Sequence, residues 1–249
     1  MIVLKNAQEL RSMSEACRLS NAALWSVAEY MQPGITTKEL DHIIHKFIVQ
    51  AGAKPSFLGL YGFPGSACIS INQQVIHGIP STKVRLKEGD VVSVDVGAFY
   101  EGFHGDNAYT FMVGQVSDEA KRLLQVTEES LYKGIEQAKP GNRIGDISNA
   151  VQCYAESFGY GVVREYVGHG VGRELHEDPE VPNFGKAGRG VRLVPGMTIA
   201  IEPMINQKGA AVKTLPDGWT VETASGGLSA HFEHTIAITE TGAKILTVR

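Results

Sequence analysis

Four acidic residues stand inside or beside segments that otherwise read as apolar strands: Asp95 in VVSVDVG, Asp106 in FHGDNAYTF, Glu202 in TIAIEPM and Glu233 in SAHFEHT. Aspartate and glutamate are poor strand formers, and a buried carboxylate is costly unless positive charge meets it. Any one of the four, taken alone, reads as half of a salt bridge or as a solvent-facing position. Taken together they do not, because these strands carry no lysine or arginine at neighbouring positions. Asp95 alternates out of phase with Val92, Val94 and Val96 and so projects from the opposite face. A hairpin centred on Tyr100-Glu101-Gly102 would set it opposite Asp106, on one face, with Cβ atoms ~5 Å apart. Two carboxylates that close repel unless one is protonated or a cation lies between them. Glu202 and Glu233 offer the same arrangement further along.

His169 is the fifth member of the set. It lies in YVGHGVG, where flanking glycines let backbone approach closely and leave the imidazole room to reach a ligand. A lone histidine is ordinarily a packed or solvated residue; beside four unpaired carboxylates it reads as a metal ligand. Two divalent cations would neutralise four carboxylates, whereas one would leave a strongly anionic pocket. Oxygen-rich ligation with one nitrogen suits Mn, Fe or Co at least as well as Zn. Two metals ~3.5–4 Å apart can supply a nucleophile at neutral pH and polarise a carbonyl, the chemistry of hydrolysis.

The elements that must position these residues come in two sets. Asn6 with Glu9, and Thr36 with Glu39, are capping-box pairs. The first opens a helix with Leu10, Met13, Cys17, Leu24, Val27 and Met31 on its apolar face, stopped by Pro33-Gly34; the second opens one that closes at Gly52. Ser117 caps a third helix that runs to Pro140-Gly141, and Ile147, Val151, Tyr154 and Phe158 mark a fourth, closed by Gly159. Strands are predicted over 67–72, 91–100, 108–113, 198–205, 219–223, 229–239 and 245–248. Pro33 and Pro140, Leu86 and Leu193, and Asp95 and Glu202 are all separated by 107 residues. A constant offset over such distances points to two helix-helix-strand half-copies, roughly 1–110 and 111–249, about a pseudo-twofold axis with matching acids near it. No Pro/Gly/Ser-rich linker divides them, so a single domain spanning 1–249 is expected. Helices segregated from hairpin-connected strands define an α+β fold with a mostly antiparallel sheet.

Composition narrows the function. The chain has 249 residues, 43% of them hydrophobic, enough for a substantial core, and its net charge of −4 includes no basic run of the kind that phosphate binding needs. No apolar stretch approaches the ~20 residues that cross a bilayer, and Met1-Ile2-Val3-Leu4-Lys5 lacks the layout of a signal peptide. The three cysteines, Cys17, Cys68 and Cys153, are too scattered for a disulfide framework or a zinc ribbon. A protein of a reducing compartment, the cytoplasm, is expected, with no membrane or nucleic-acid partner.

The segments ACISIN-QQVIHGIP, KEGDVVSVDVG…FHGDNAYTF, YVGHGVGRELHEDPEVPNF, VPGMTIAIEPM and LSAHFEHTIAI resemble, in order and spacing, the motifs of type I methionine aminopeptidases, over essentially the whole chain. The resemblance implies the pita-bread fold and an enzyme that removes the initiator methionine from nascent proteins. It implies that Asp106, His169, Glu202 and Glu233 hold one divalent metal (Co, Mn, Fe or Zn), and that Asp95 chelates a second with Asp106 and Glu233 bridging. It assigns His77 to the substrate amine and scissile amide, His176 to the carbonyl oxygen as it becomes an oxyanion, and Glu202 also to proton transfer. His42, His45, His104, His231 and His234 receive no role and are expected to be structural or on the surface. Phe57, Leu60, Phe63, Cys68, Leu175 and Trp219 should line the methionine pocket, an apolar wall with one soft sulfur suited to a thioether. Family members often carry Cys, Tyr and Phe where this chain has Phe57, Leu60 and Leu175, exchanges that keep the pocket apolar. The resemblance further implies a monovalent cation held by backbone near Asn72 and Ser229, small second residues in the substrate, a monomer, and transient contact with the ribosome. Prolidases and aminopeptidases P share the five ligands but usually carry an added N-terminal domain, for which a first helix starting near Asn6 leaves no room. The 26-residue step from His176 to Glu202 is too short for the helical insertion of type II methionine aminopeptidases. A binding protein that keeps the fold without catalysis would be expected to have lost ligands, and all five are here.

Overall fold

The structure is a computed structural model that describes residues 1–248. Four helices form where the caps direct them: α1 (Ala7–Trp25), α2 (Thr37–Gln50), α3 (Asp118–Gln137) and α4 (Ile144–Ser157). Both capping boxes close: the Asn6 side chain accepts from the N–H of Gln8 and Glu9, and the Thr36 backbone N–H donates to Glu39 at 2.7 Å. The first helix is shorter than its periodicity predicts. It stops at Trp25, where the Ser26 hydroxyl turns back onto the Ala23 carbonyl at 2.6 Å, and a single 3-10 turn, Ala28–Tyr30, completes the apolar face.

The 107-residue offset reappears in the backbone. The bridge between Thr36 and Arg85 has its counterpart between Arg143 and Arg192. Gly34 donates to the Leu86 carbonyl at 2.8 Å and Gly141 to that of Leu193 at 3.0 Å. Each half builds its own core from one sheet face and two helices. In the first, Leu40, Ile44 and Ile48 of α2 pack with Leu24 of α1 against Val92, Val94 and Val96. In the second, Leu123 and Leu131 of α3 and Ile147 of α4 pack against Ile199, Ile201 and Ile236. The valines that alternate with Asp95 therefore face helices, and the acid is left for the other side. All the strand pairings are antiparallel.

Two details of register depart from the sequence-based expectation. Strands Val91–Tyr100 and Phe103–Met112 pair Gly97 with Asp106 and Asp95 with Ala108, so the two aspartates are diagonal neighbours and not directly opposed. The turn is the two-residue Glu101-Gly102, both at positive φ (48° and 84°), the geometry that matches strand twist. A slip of two residues keeps side-chain parity, so both carboxylates still share a face. The predicted strands 198–205 and 229–239 are each broken, into Thr198–Ile201 with Met204–Asn206 and Ser229–His231 with His234–Thr239. Pro203 has no N–H for the ladder. The flanking pairs, Ile201 with His234 and Met204 with His231, place Glu202 and Glu233 across the gap from each other.

Candidate metal centre

The two hairpins are tied together at the acids. The Asp106 N–H donates to the Thr235 hydroxyl at 3.3 Å, that hydroxyl donates back to the Asp106 carbonyl at 2.7 Å, and the Glu233 N–H donates to the Ala108 carbonyl at 3.0 Å. Glycines permit the close approach. A Cβ on Gly105 would lie 2.4 Å from the Cys17 backbone of α1, and one on Gly168 or Gly170 would lie 2.2–2.3 Å from carbonyl oxygens of the flanking strands. His169 is thereby wedged into the sheet with its Nδ1 2.8 Å from the Gly170 carbonyl. A carbonyl only accepts, so Nδ1 carries the proton and the Nε2 lone pair faces the carboxylates, the tautomer a metal requires.

Nε2 of His169 lies 3.5 Å from Glu202 Oε1 and 3.8 Å from Asp106 Oδ2. One ligand atom each of Asp106, His169 and Glu233 lie within 4.8 Å of one another. Asp106 Oδ1, Asp95 Oδ1 and Glu233 Oε1 are buried with no hydrogen-bond partner. Burial first, and mutual repulsion second, hold Asp95, Glu202 and Glu233 well above the usual carboxylate range, and burial carries Asp106 up to about 7. His169 is pushed down to about 4, chiefly by burial and then by His176. Buried acceptors without donors, gathered around an unprotonated imidazole nitrogen, are what bound divalent metal satisfies, and Asp106, His169 and Glu233 fit it.

A stability consequence follows. Each of these acids holds its proton more tightly folded than unfolded, so the fold is penalised as pH rises from the ordinary value near 4 through about 7 and beyond. The buried histidines act oppositely. His77, His104, His169 and His234, at about 4, and His231, at about 3, cost stability as pH falls below their ordinary 6.5, and these five outweigh the four acids between pH 4 and 6.5. The metal-free protein is therefore expected to melt highest near pH 6.5 and to lose Tm toward pH 8.5, with Mn2+ abolishing the alkaline decline. A metal-free Tm that stays flat from pH 6.5 to 8.5 would show that burial and repulsion do not raise these carboxylates.

The centre opens into a cavity of about 480 Å3 that gathers every candidate from the sequence: Asp95, Asp106, His169, Glu202 and Glu233, then His77 and His176, then Phe57, Leu60, Phe63, Cys68, Leu175 and Trp219. The apolar members form one cluster, with Trp219 edge-on to Phe63 at 5.2 Å. His77 sits at φ 57°, a strained position fixed by its neighbour, since a Cβ on Gly78 would lie 2.1 Å from the Ile69 carbonyl oxygen. Its pKa falls to about 4, by burial and then by His176. His176 stands at the mouth, edge-on to His169 at 4.4 Å and stacked on Tyr61 at 6.2 Å, and loss of solvent on its cavity side lowers its pKa. Asn72 and Ser229 also meet, the Ser229 N–H donating to the Asn72 carbonyl at 2.9 Å.

Sequence reasoning missed two neighbours of this site. His231, expected to be structural or on the surface, is buried with Nε2 3.5 Å from Glu202 Oε2. Its place two residues before Glu233, on the same strand parity, was the available signal. Tyr61, with φ 49° and 78% exposed at the cavity mouth, carries no signal in the sequence beyond the glycines around it.

A cavity of about 480 Å3 that ends in a buried carboxylate-imidazole cluster is the build of a metal-dependent hydrolase. The pattern described as metallopeptidase family M24 matches residues 11–240. Over 99% of both chains the sequence is 55% identical to methionine aminopeptidase 1 of Bacillus subtilis. The structure of methionine aminopeptidase from Thermotoga maritima superposes with a TM-score of 0.98 at 46% identity, covering 100% of each chain. A prolidase from Pyrococcus horikoshii shares the fold at TM-score 0.79 and 28% identity, but this chain covers only 64% of it. The chain belongs to metallopeptidase family M24 and, within it, to the type I methionine aminopeptidases, metallo-exopeptidases with the pita-bread fold. No described helix is long and apolar enough to cross a membrane.

Proposed function

We propose that this chain removes the initiator methionine from newly made proteins with a small second residue, acting as a cytoplasmic monomer in transient contact with the ribosome. The observation that carries this is the union, in one cavity, of an acid cluster without counter-ions and an apolar pocket containing one thiol. Asp106, His169, Glu202 and Glu233 would hold one divalent cation, and Asp95 a second with Asp106 and Glu233 bridging. Mn, Fe, Co and Zn are all compatible with such donors. When bound, the pair supplies Lewis acidity toward water and the scissile carbonyl. A monovalent cation beside Asn72 and Ser229 would brace the junction where their backbones meet.

The chain's own residues do the rest. Phe57, Phe63, Cys68, Leu175 and Trp219, with Leu60 at the edge, take up the methionine side chain and exclude water. His77 is uncharged near neutral pH and hydrogen-bonds near the substrate amine and scissile amide. His176, also neutral, donates to the carbonyl oxygen as negative charge grows there. A Glu202 oxygen takes the proton from the attacking water and passes it to the leaving nitrogen. His231 Nε2 lies 3.5 Å from Glu202 Oε2, and burial keeps that imidazole uncharged.

The test compares Met-Ala-Ser with Met-Ile-Val, the chain's own first three residues. Isoleucine is one methylene larger than valine, and a methylene in a tight site is worth about 10–200-fold in kcat/KM. Met-Ala-Ser is expected to turn over with Mn, Co or Fe, and Met-Ile-Val far more slowly, so Met1 stays attached. In the folded chain Ile2 packs against the second core and the Met1 amine pairs with Asp178. No turnover of Met-Ala-Ser with any of these metals would favour a binding protein, and rapid cleavage of Met-Ile-Val would refute the narrow site.

A further inference from the structure

His176 is carried on a short irregular segment between the strands Gly168–Gly170 and Glu177–Val181. Nothing in the segment's own secondary structure fixes the imidazole. The imidazole packs on His169 and Tyr61, and a buried ion pair braces the backbone that carries it. Glu177 Oε1 accepts from the backbone N–H of Arg173 at 2.8 Å and of Glu174 at 3.3 Å. Its Oε2 accepts from Lys5 Nζ at 2.5 Å. Both side chains are shielded, 3% exposed for Lys5 and 10% for Glu177. Lys5 is itself anchored, since its Nζ donates to the Val3 carbonyl at 3.1 Å and its backbone N–H to the Gly196 carbonyl at 2.8 Å. The pair presses on the segment: a Cβ on Gly172 would lie 2.3 Å from Glu177 Oε1 and 2.6 Å from Lys5 Nζ.

We infer that Lys5 and Glu177 are positioning residues for catalysis, a strap from the N-terminal segment that sets where His176 points. With one carboxylate oxygen tied to two backbone amides and the other to an anchored ammonium, the segment has one arrangement. Without Lys5, Glu177 becomes an uncompensated buried charge, and it turns toward water and takes the amides with it. The residue next to it is His176, so the oxyanion donor moves while the metal ligands, held by the sheet, stay. Leu175, on the same segment, is buried in the methionine pocket and moves less.

The inference rests on His176 acting on the oxyanion, so the test is a double-mutant cycle in the metal-loaded enzyme with Met-Ala-Ser. Lys5→Met is expected to lower kcat about tenfold with KM within threefold, a part of the loss expected for an oxyanion donor. In a His176→Ala background the same change is expected to alter kcat by less than twofold, because the group it positions is gone. Amide hydrogen exchange at Arg173 and Glu174 should quicken in metal-free Lys5→Met. If Lys5→Met does not fold, Lys5→Arg, which keeps the charge and displaces the head group, is read in the same cycle. Equal kcat losses in the two backgrounds would overturn the strap and show a structural role only. An unchanged kcat in His176→Ala alone would overturn the reading of His176 itself, before Lys5 is touched.

Discussion

Asp106→Asn is expected to cut turnover on the order of a thousandfold or more, beyond the ~10–100-fold that loss of a ligand's hydrogen-bond partner costs. It should also lower metal content and leave the chain folded. Asp106 lies between the two hairpins, its Oδ2 facing His169 and its Oδ1 buried without a donor, so one substitution weakens both proposed cation positions. The fold tolerates the change, because the anchoring hydrogen bonds to Thr235 run through the Asp106 backbone and not its carboxylate. Asparagine matches the shape and removes a charge that neighbouring acids repel, so the metal-free variant should melt at or above the parent at pH 8. Metal analysis, Met-Ala-Ser kinetics and a metal-free melt together decide it. Normal turnover by a fully metal-loaded variant would sink the assignment.

His176→Ala is expected to lower kcat by about 10²–10³, with KM changed by no more than about threefold. The imidazole is held by packing, edge-on to His169 and stacked on Tyr61, and its lowered pKa keeps it neutral, with one N–H to donate. The carbonyl of a bound peptide gains little from that donor, and the tetrahedral oxyanion gains much. An interaction made only in the transition state appears in kcat. The proposed methionine pocket, the cluster of Phe57, Phe63, Cys68 and Trp219, stays in place in the variant. A raised KM with unchanged kcat would mean that His176 holds substrate and does not stabilise charge.

The sequence by itself determined what depends on local chemistry. Asn6 with Glu9 and Thr36 with Glu39 mark helix starts because a cap is satisfied within four residues. Asp95 reveals itself because a strand alternates with period two, and an acid out of phase with Val92, Val94 and Val96 must leave their core. His169 is legible because its flanking glycines mark a place where backbone approaches too closely for a Cβ, here the carbonyls of Ala200 and Asp178. Tertiary structure decided what depends on distances between remote segments. The hairpin register turned on the conformation of Glu101-Gly102, and the ladder broke at Glu202-Pro203 opposite Phe232-Glu233 only because those strands are paired. The approach of His231 to Glu202, of Tyr61 to His176 and of Lys5 to Glu177 joins residues far apart in the chain. Such contacts leave no periodic trace, because their geometry is set by how the two half-sheets and the N-terminal segment pack and by no propensity of the residues that make them.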